Sequence, residues 1–223
     1  MEASNPHLGT ATAVFGPAAK RAKLAVILVH GRGQSPAWMR QQVVDRLDDL
    51  PVTWHAPAAE GASWYPERFI VPVERNEPRL SQALAALAHL SDGLRRHGFP
   101  TSRQVLMGFS QGACLCSEFV WRSPHRYRGL VAFTGGLIGA PGAERPLASL
   151  PNLPVLLSTW DADPHVPLES VQETAEWFRK AGAQVRLHAG AGTEHGIRDD
   201  EIAQARALLE SVDASMPGHE GDR

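Results

Sequence analysis

The sequence predicts an α/β fold: a mainly parallel central sheet with helices on both faces. Three observations carry this. Short β-rich apolar runs punctuate the chain from end to end. Most are continuous rather than alternating, as strands covered on both faces must be. Segments with helical spacing lie between them, and strands that alternate with helices pair in parallel.

Taken in order, the first run is "LAVILVH" at 24–30. Met39, Val43, Leu47 and Leu50 then form one helical stripe, and "VTWHAP" (52–57) reads as the next strand. The connection that follows, "PAAEGASWYPERFIVPVERN", is long and rich in Pro, Trp, Tyr and Phe, so it is expected to be a packed functional loop. Leu80, Leu84, Leu87 and Leu94 mark a second helix, closed by Arg95, Arg96, His97 and Gly98, where basic residues and a glycine suit a helix C-terminus. Next come a strand "RQVLMGF" (103–109), a helix "QGACLCSEFVW", and strands "GLVAFTG" (129–135) and "PVLLSTW" (154–160). Val171, Ala175 and Phe178 mark a helix ending before Gly182, and "AQVRLHAG" (183–190) is the last strand. Ile202, Ala205 and Leu209 mark the final helix, with Asp199 and Asp200 favourable at its start. No repeat or linker divides the chain, which predicts one domain over 1–223, with 1–10 and 216–223 as loosely held tails.

At 223 residues the chain can bury a substantial core. A net charge of −2 with no Lys/Arg run argues against nucleic acid as a partner. No run of eighteen apolar residues predicts a membrane span, and the N-terminus lacks a signal-peptide pattern, so a cytoplasmic protein is expected. An assembly such as a homodimer would form through an exposed sheet edge or the aromatic loop. Cys114 and Cys116 lie two apart on a predicted helix, pointing to different sides; they read as packing residues rather than as a disulfide or a zinc site.

The chemistry centres on "GFSQG", Gly108 to Gly112. G-x-S-x-G is informative only when a strand precedes it and a helix follows, and both conditions are met. Glycines relieve the crowding of so sharp a turn, which presents Ser110 at the C-terminal edge of the sheet beside a helix N-terminus. A serine nucleophile needs a base, and the base needs an orienting acid, in the chain order serine, acid, histidine. "DADPHVP" follows one later strand and "AGTEHGI" another, where open α/β sheets place their sites. The acid is Asp161 or Asp163. The base is His195: His188 falls inside a strand, and His165 stands beside the acid, too close in sequence to reach across.

A tetrahedral intermediate also needs oxyanion donors. One is expected from the N–H of Gln111, the residue after the serine. The other is expected from "HGRGQS", where Gly31 and Gly33 let the backbone turn inward and leave the N–H of Arg32 as donor. His30 reads as a satisfied core histidine.

In this order, "HGRGQS", "WYPERF", "RNEPRLSQAL", "GFSQGACL", "GGLIG", "DADPHVP" and "EHGIRDDE" resemble the phospholipase/carboxylesterase family of α/β-hydrolases. That family includes acyl-protein thioesterases and small bacterial carboxylesterases. The likeness runs from about Asn5 to about Leu209. It implies an α/β-hydrolase fold, with Ser110 as nucleophile, His195 as base and Asp163, which precedes Pro-His-Val-Pro, as acid; Asp161 then braces its loop. It also implies Arg32 and Gln111 as oxyanion donors, and neither metal nor organic cofactor. Two residues depart from the pattern: Trp160 replaces a usually small residue at a strand end, and Glu194 directly precedes His195.

The expected activity is a serine carboxylesterase acting on a small-molecule ester. "GGLIGAPGAERPLASLPNLP" is too short and too rich in Gly and Pro to build a large cap domain. An open pocket walled by Trp64, Tyr65, Trp160 and Val166 is expected to favour short and medium acyl chains. A thioesterase or lysophospholipase uses the same machinery. A non-catalytic binding protein of this fold usually loses a triad member, and all three are present here.

Overall fold

The computed structural model describes residues 5–214. Seven strands form one sheet: β1 (Thr12–Phe15), β2 (Leu24–Val29), β3 (Val52–Pro57), β4 (Gln104–Phe109), β5 (Gly129–Phe133), β6 (Pro154–Trp160) and β7 (Gln184–Gly190). Their order across the sheet is β1-β3-β2-β4-β5-β6-β7, and every pairing is parallel except that of β1 with β3. Five α-helices accompany it: α1 (Pro36–Gln42), α2 (Arg79–Arg96), α3 (Gln111–Arg122), α4 (Leu168–Lys180) and α5 (Asp199–Ala214).

The continuous apolar runs have a simple origin. Side chains alternate across a strand, and here each alternate set meets its own layer of helices. Ile27, Leu106, Leu130 and Leu157 face Leu87 of α2, Leu115 of α3 and Phe178 of α4. Val26, Met107, Val131 and Leu156 face Met39 of α1 and Ile202 and Leu209 of α5. This is an α/β-hydrolase fold. The connection from β5 to β6 contains no helix or strand, so no large cap covers the sheet. Among the described residues, no helix is long and apolar enough to cross a membrane.

Several elements differ from the sequence expectation. The stripe Met39–Leu50 is buried throughout but is not one helix. The α-helix stops at Gln42, Val43 adopts φ −127° and ψ −59°, and a 3-10 turn covers Val44–Arg46. β1 was not anticipated: it is four residues long, half exposed, and antiparallel at the sheet edge. The N-terminal segment is not loose from Asn5 onward. Asn5 caps a 3-10 turn over Pro6–Gly9 and its Nδ2 donates to the Gln82 carbonyl at 2.7 Å. His7 is buried, accepting from the Glu60 N–H (3.2 Å) and donating to the Trp64 carbonyl (3.2 Å). Residues 1–4 and 216–223, also expected to be loose, lie outside the described residues.

The strand order positions the site. After β2 the chain moves to β3 on one side, then crosses to β4 on the other. The loops leaving the C-terminal ends of adjacent β2 and β4 therefore diverge and leave a crevice between them, the usual ligand position in an open α/β sheet. Arg32 follows β2 and Ser110 follows β4.

Candidate active site

Ser110 sits at φ +52° and ψ −119°, a backbone conformation that costs a non-glycine residue energy and persists only where its surroundings enforce it. The enforcement comes from close packing of α3 on the sheet. A Cβ on Gly108 would lie 2.5 Å from the Gly112 carbonyl, and one on Gly112 would collide with the carbonyl oxygens of Val29 and His30. The two glycines thus let the strand, the turn and the helix approach more closely than any side chain permits. The Ser110 N–H is fixed on the Phe133 carbonyl at 2.9 Å, and the Ser110 carbonyl accepts from the Cys114 N–H at 3.0 Å.

Three predicted residues meet there. His195 Nε2 lies 2.8 Å from Ser110 Oγ, and His195 Nδ1 lies 2.7 Å from Asp163 Oδ2. The Asp163 side chain is fully buried, while the His195 ring keeps about a fifth of its surface exposed. The second Asp163 oxygen, Oδ1, accepts from the backbone N–H groups of His165 and Val166, both at 2.8 Å. Three hydrogen bonds to this carboxyl group thus hold it aimed at the imidazole. With Oδ2 accepting from Nδ1–H, Nε2 is left as the acceptor for the serine hydroxyl. Packing fixes the ring as well: Phe109 lies 5.0 Å from it and His165 4.9 Å, edge-on.

Asp161 is not part of this chain. It accepts from the Gly192 N–H at 2.8 Å and braces the loop that carries His195. His188 pairs with Asp200 at 2.7 Å on β7, away from Ser110. Glu194 is exposed.

Arg32 and Gln111, the expected oxyanion donors, both line the cleft that holds Ser110. The N–H groups on either side of Arg32 are occupied: Gly31 donates to Gln34 Oε1 at 3.0 Å and Gly33 to the Ala62 carbonyl at 2.8 Å. The Gln111 amide stands in the first turn of α3, where N–H groups have no intrahelical acceptor. Both side chains hold the aromatic loop. Gln111 Nε2 donates to the Tyr65 carbonyl (2.7 Å), and its Oε1 accepts from the Trp64 N–H (2.9 Å). The Arg32 guanidinium donates to three successive carbonyls, Tyr65 (3.0 Å), Pro66 (2.5 Å) and Glu67 (2.6 Å). That clamp was not legible from the sequence, which marked only the Arg32 backbone.

His30 is a satisfied core histidine, as expected. Nδ1 donates to the Gly31 carbonyl at 2.7 Å and Nε2 accepts from the Ala59 N–H at 3.0 Å. Burial pushes its imidazole below the ordinary histidine range.

A cleft of about 500 Å³ opens at Ser110 and His195. Tyr65 and Val166 line it, as expected, together with Cys114 and Phe69. Arg32, Glu67, Arg68 and His165 form its polar wall. Trp64 and Trp160 do not line it, which corrects the expected pocket. Trp64 is fully buried behind the Gly31 turn, its Nε1 donating to the His30 carbonyl at 2.8 Å. Trp160 turns toward the His195 loop, donating from Nε1 to the Gly196 carbonyl at 3.2 Å under the Arg198 guanidinium, 4.4 Å from its ring. Sequence position put both indoles near the site but carried no information on where the rings point. Cys114 is a silent neighbour: burial pushes its thiol up to about 12, so it carries no thiolate at neutral pH. The Tyr65 phenol is likewise raised by burial.

Comparison with known proteins agrees with this architecture. The family model for phospholipase/carboxylesterase matches residues 11–212. Acyl-protein thioesterase 1 of Debaryomyces hansenii is 26% identical over 87% of this chain and 93% of its own length. Among solved structures, a phospholipase/carboxylesterase from Dyadobacter fermentans is 35% identical, with a TM-score of 0.81, over 91% of this chain and 97% of its own. The Bacillus cereus carboxylesterase shares the fold at 16% identity, with a TM-score of 0.73, over 94% of this chain and 100% of its own. With the match spanning nearly every described residue, the chain belongs to the phospholipase/carboxylesterase family, hydrolases that act on ester bonds.

Proposed function

We propose that the protein is a serine carboxylesterase that cleaves esters of small and medium acyl groups through an acyl-enzyme. The observation that carries this reading is the hydrogen-bonded chain from Asp163 Oδ2 through His195 to Ser110 Oγ, 2.7 and 2.8 Å long, on a serine held at φ +52°.

His195 Nε2 takes the Ser110 proton as Oγ attacks the ester carbonyl carbon. Negative charge moves onto the carbonyl oxygen, where the N–H groups of Arg32 and Gln111 stabilise it; one such donor is worth about 3 kcal/mol. The intermediate collapses, and the departing alkoxide takes the proton from His195. Water then attacks the acyl-enzyme, giving its proton to His195, which returns it to Ser110 as the acid leaves. Asp163 fixes the imidazole tautomer and stabilises the imidazolium that forms twice per cycle. The open cleft, with Tyr65, Phe69 and Val166 as its apolar wall, suits soluble esters of modest length.

The test is hydrolysis of p-nitrophenyl esters from acetate to palmitate, with wild type beside Ser110→Ala. The expected result is an optimum at short or medium chain and loss of activity in the variant. Retained activity in Ser110→Ala, or an optimum at palmitate, contradicts the reading. Thioester cleavage is the second reading, favoured by the likeness to an acyl-protein thioesterase. An oxygen ester and a thioester with the same acyl group, compared by kcat/KM, separate the two.

A further inference from the structure

We propose that this cleft selects esters carrying a carboxylate at the end remote from the scissile bond, with Arg68 and Arg32 as its recognition residues. The inference rests on the esterase reading above. Both arginines line the same cleft as Ser110 and His195. The Arg32 guanidinium is held by three carbonyl oxygens, those of Tyr65, Pro66 and Glu67. Neutral acceptors fix the orientation of the fork without cancelling its charge. Arg68 Nη2 donates to another carbonyl, that of His165, at 2.9 Å. This places it beside the ring that packs on His195 at 4.9 Å.

Carboxylates that would neutralise these charges are engaged elsewhere. Asp163 is fully buried and spends both oxygens on His195 and the amides of His165 and Val166. Glu67, on the cleft wall, faces Arg75 at 3.4 Å. Among the described residues neither Arg32 nor Arg68 is ion-paired. Two pre-positioned, uncompensated guanidinium groups in a concave site focus a positive potential. Arg68, with one N–H spent on the His165 carbonyl, keeps paired donors of the kind that bind a planar carboxylate, while Arg32, with three donors spent on carbonyls, contributes its charge. The reacting carbonyl itself is taken by Ser110 and the two amides, so the recognised anion is a second group. Tyr65, Phe69, Val166 and Cys114 are apolar or uncharged and suit the methylene stem between the two.

The test compares mono-p-nitrophenyl adipate with p-nitrophenyl hexanoate, esters of matched chain length that differ in a terminal carboxylate. Ser110→Ala supplies the background rate for each. Wild type is expected to favour the adipate about tenfold in kcat/KM, mainly through KM, as befits charge-assisted hydrogen bonds, with the preference shrinking in 0.5 M salt. Arg68→Gln and Arg32→Gln should lower the adipate-to-hexanoate ratio, and Arg68→Lys should keep most of it. The ratio is the readout, because losses common to both esters cancel in it. Equal or better hydrolysis of the hexanoate by wild type overturns this proposal and leaves the esterase reading standing. So does a preference that survives both glutamine variants. Wild type inert on both esters overturns the esterase reading and this proposal with it.

Discussion

The indole Nε1 of Trp160 donates to the Gly196 carbonyl at 3.2 Å, joining the last residue of β6 to the residue after His195. The acid loop and the histidine loop come from different strands, and this bond, with that of Asp161 to the Gly192 N–H, ties them together. The imidazole is thereby positioned from both sides of its loop.

Trp160→Phe keeps most of the ring volume and removes the donor. A lost hydrogen bond is worth about 1 kcal/mol, so kcat should fall roughly fivefold with KM little changed. An unchanged kcat on p-nitrophenyl butyrate would show that the bond does not position His195.

In the proposed mechanism Arg32 acts twice, through its amide and through its guanidinium. Arg32→Pro deletes the proposed oxyanion donor and should cost about 3 kcal/mol in transition-state stabilisation, roughly a hundredfold in kcat. Arg32→Ala keeps the amide but releases the carbonyls of Tyr65, Pro66 and Glu67. It should cost less than the proline variant yet raise KM, because the cleft wall is unpinned. Equal kcat in the two variants would move the oxyanion donor elsewhere.

A methyl group at Gly112 would overlap the carbonyl oxygens of Val29 and His30, which are backbone and cannot swing aside. Gly112→Ala should therefore destabilise the protein by more than about 2 kcal/mol in urea denaturation. Gly9→Ala, with nothing within 4 Å, is the control and should stay within about 0.5 kcal/mol. Equal midpoints in the two variants would contradict the packing account of the elbow.

These sites also show what was readable in advance. The turn at Ser110 was legible because a strand, a G-x-S-x-G and a helix leave few other readings. The histidine followed from its place after a later strand. Residue spacing alone left Asp161 and Asp163 open, since both sit in one loop; the likeness to known motifs favoured Asp163, and the hydrogen bonds join it to His195. What stayed hidden depends on side-chain direction and on contacts distant in sequence. Trp64 and Trp160 sit next to the site in sequence but pack behind it. The Arg32 clamp spans more than thirty residues of chain. β1 was hidden for another reason: four residues at an antiparallel edge give too short a pattern to stand out. The break at Val43 left the apolar stripe buried, so spacing alone could not reveal it.

Acid should weaken the fold through His30. Burial lowers its folded-state pKa below the unfolded value of 6.5. Above that value both states are neutral and the group contributes no pH dependence. As pH falls below it, the unfolded chain takes up a proton that the folded protein resists, so stability is lost down through the folded pKa. Structurally, an imidazolium would turn a donor toward the Ala59 N–H, where Nε2 now accepts. His7 and His55 are shifted the same way, also by burial, and add to the slope. The melting temperature should drop from pH 7.5 to pH 5, and less steeply in His30→Gln. Parallel curves for the two proteins would remove His30 from the account.

The proposed function requires Ser110 to be an activated nucleophile. The most direct measurement is reaction with a fluorophosphonate probe, followed by peptide mapping of the adduct by mass spectrometry. The account predicts a single adduct on the peptide containing Ser110, abolished in His195→Ala. An unlabelled protein, or an adduct on any other residue, would contradict it.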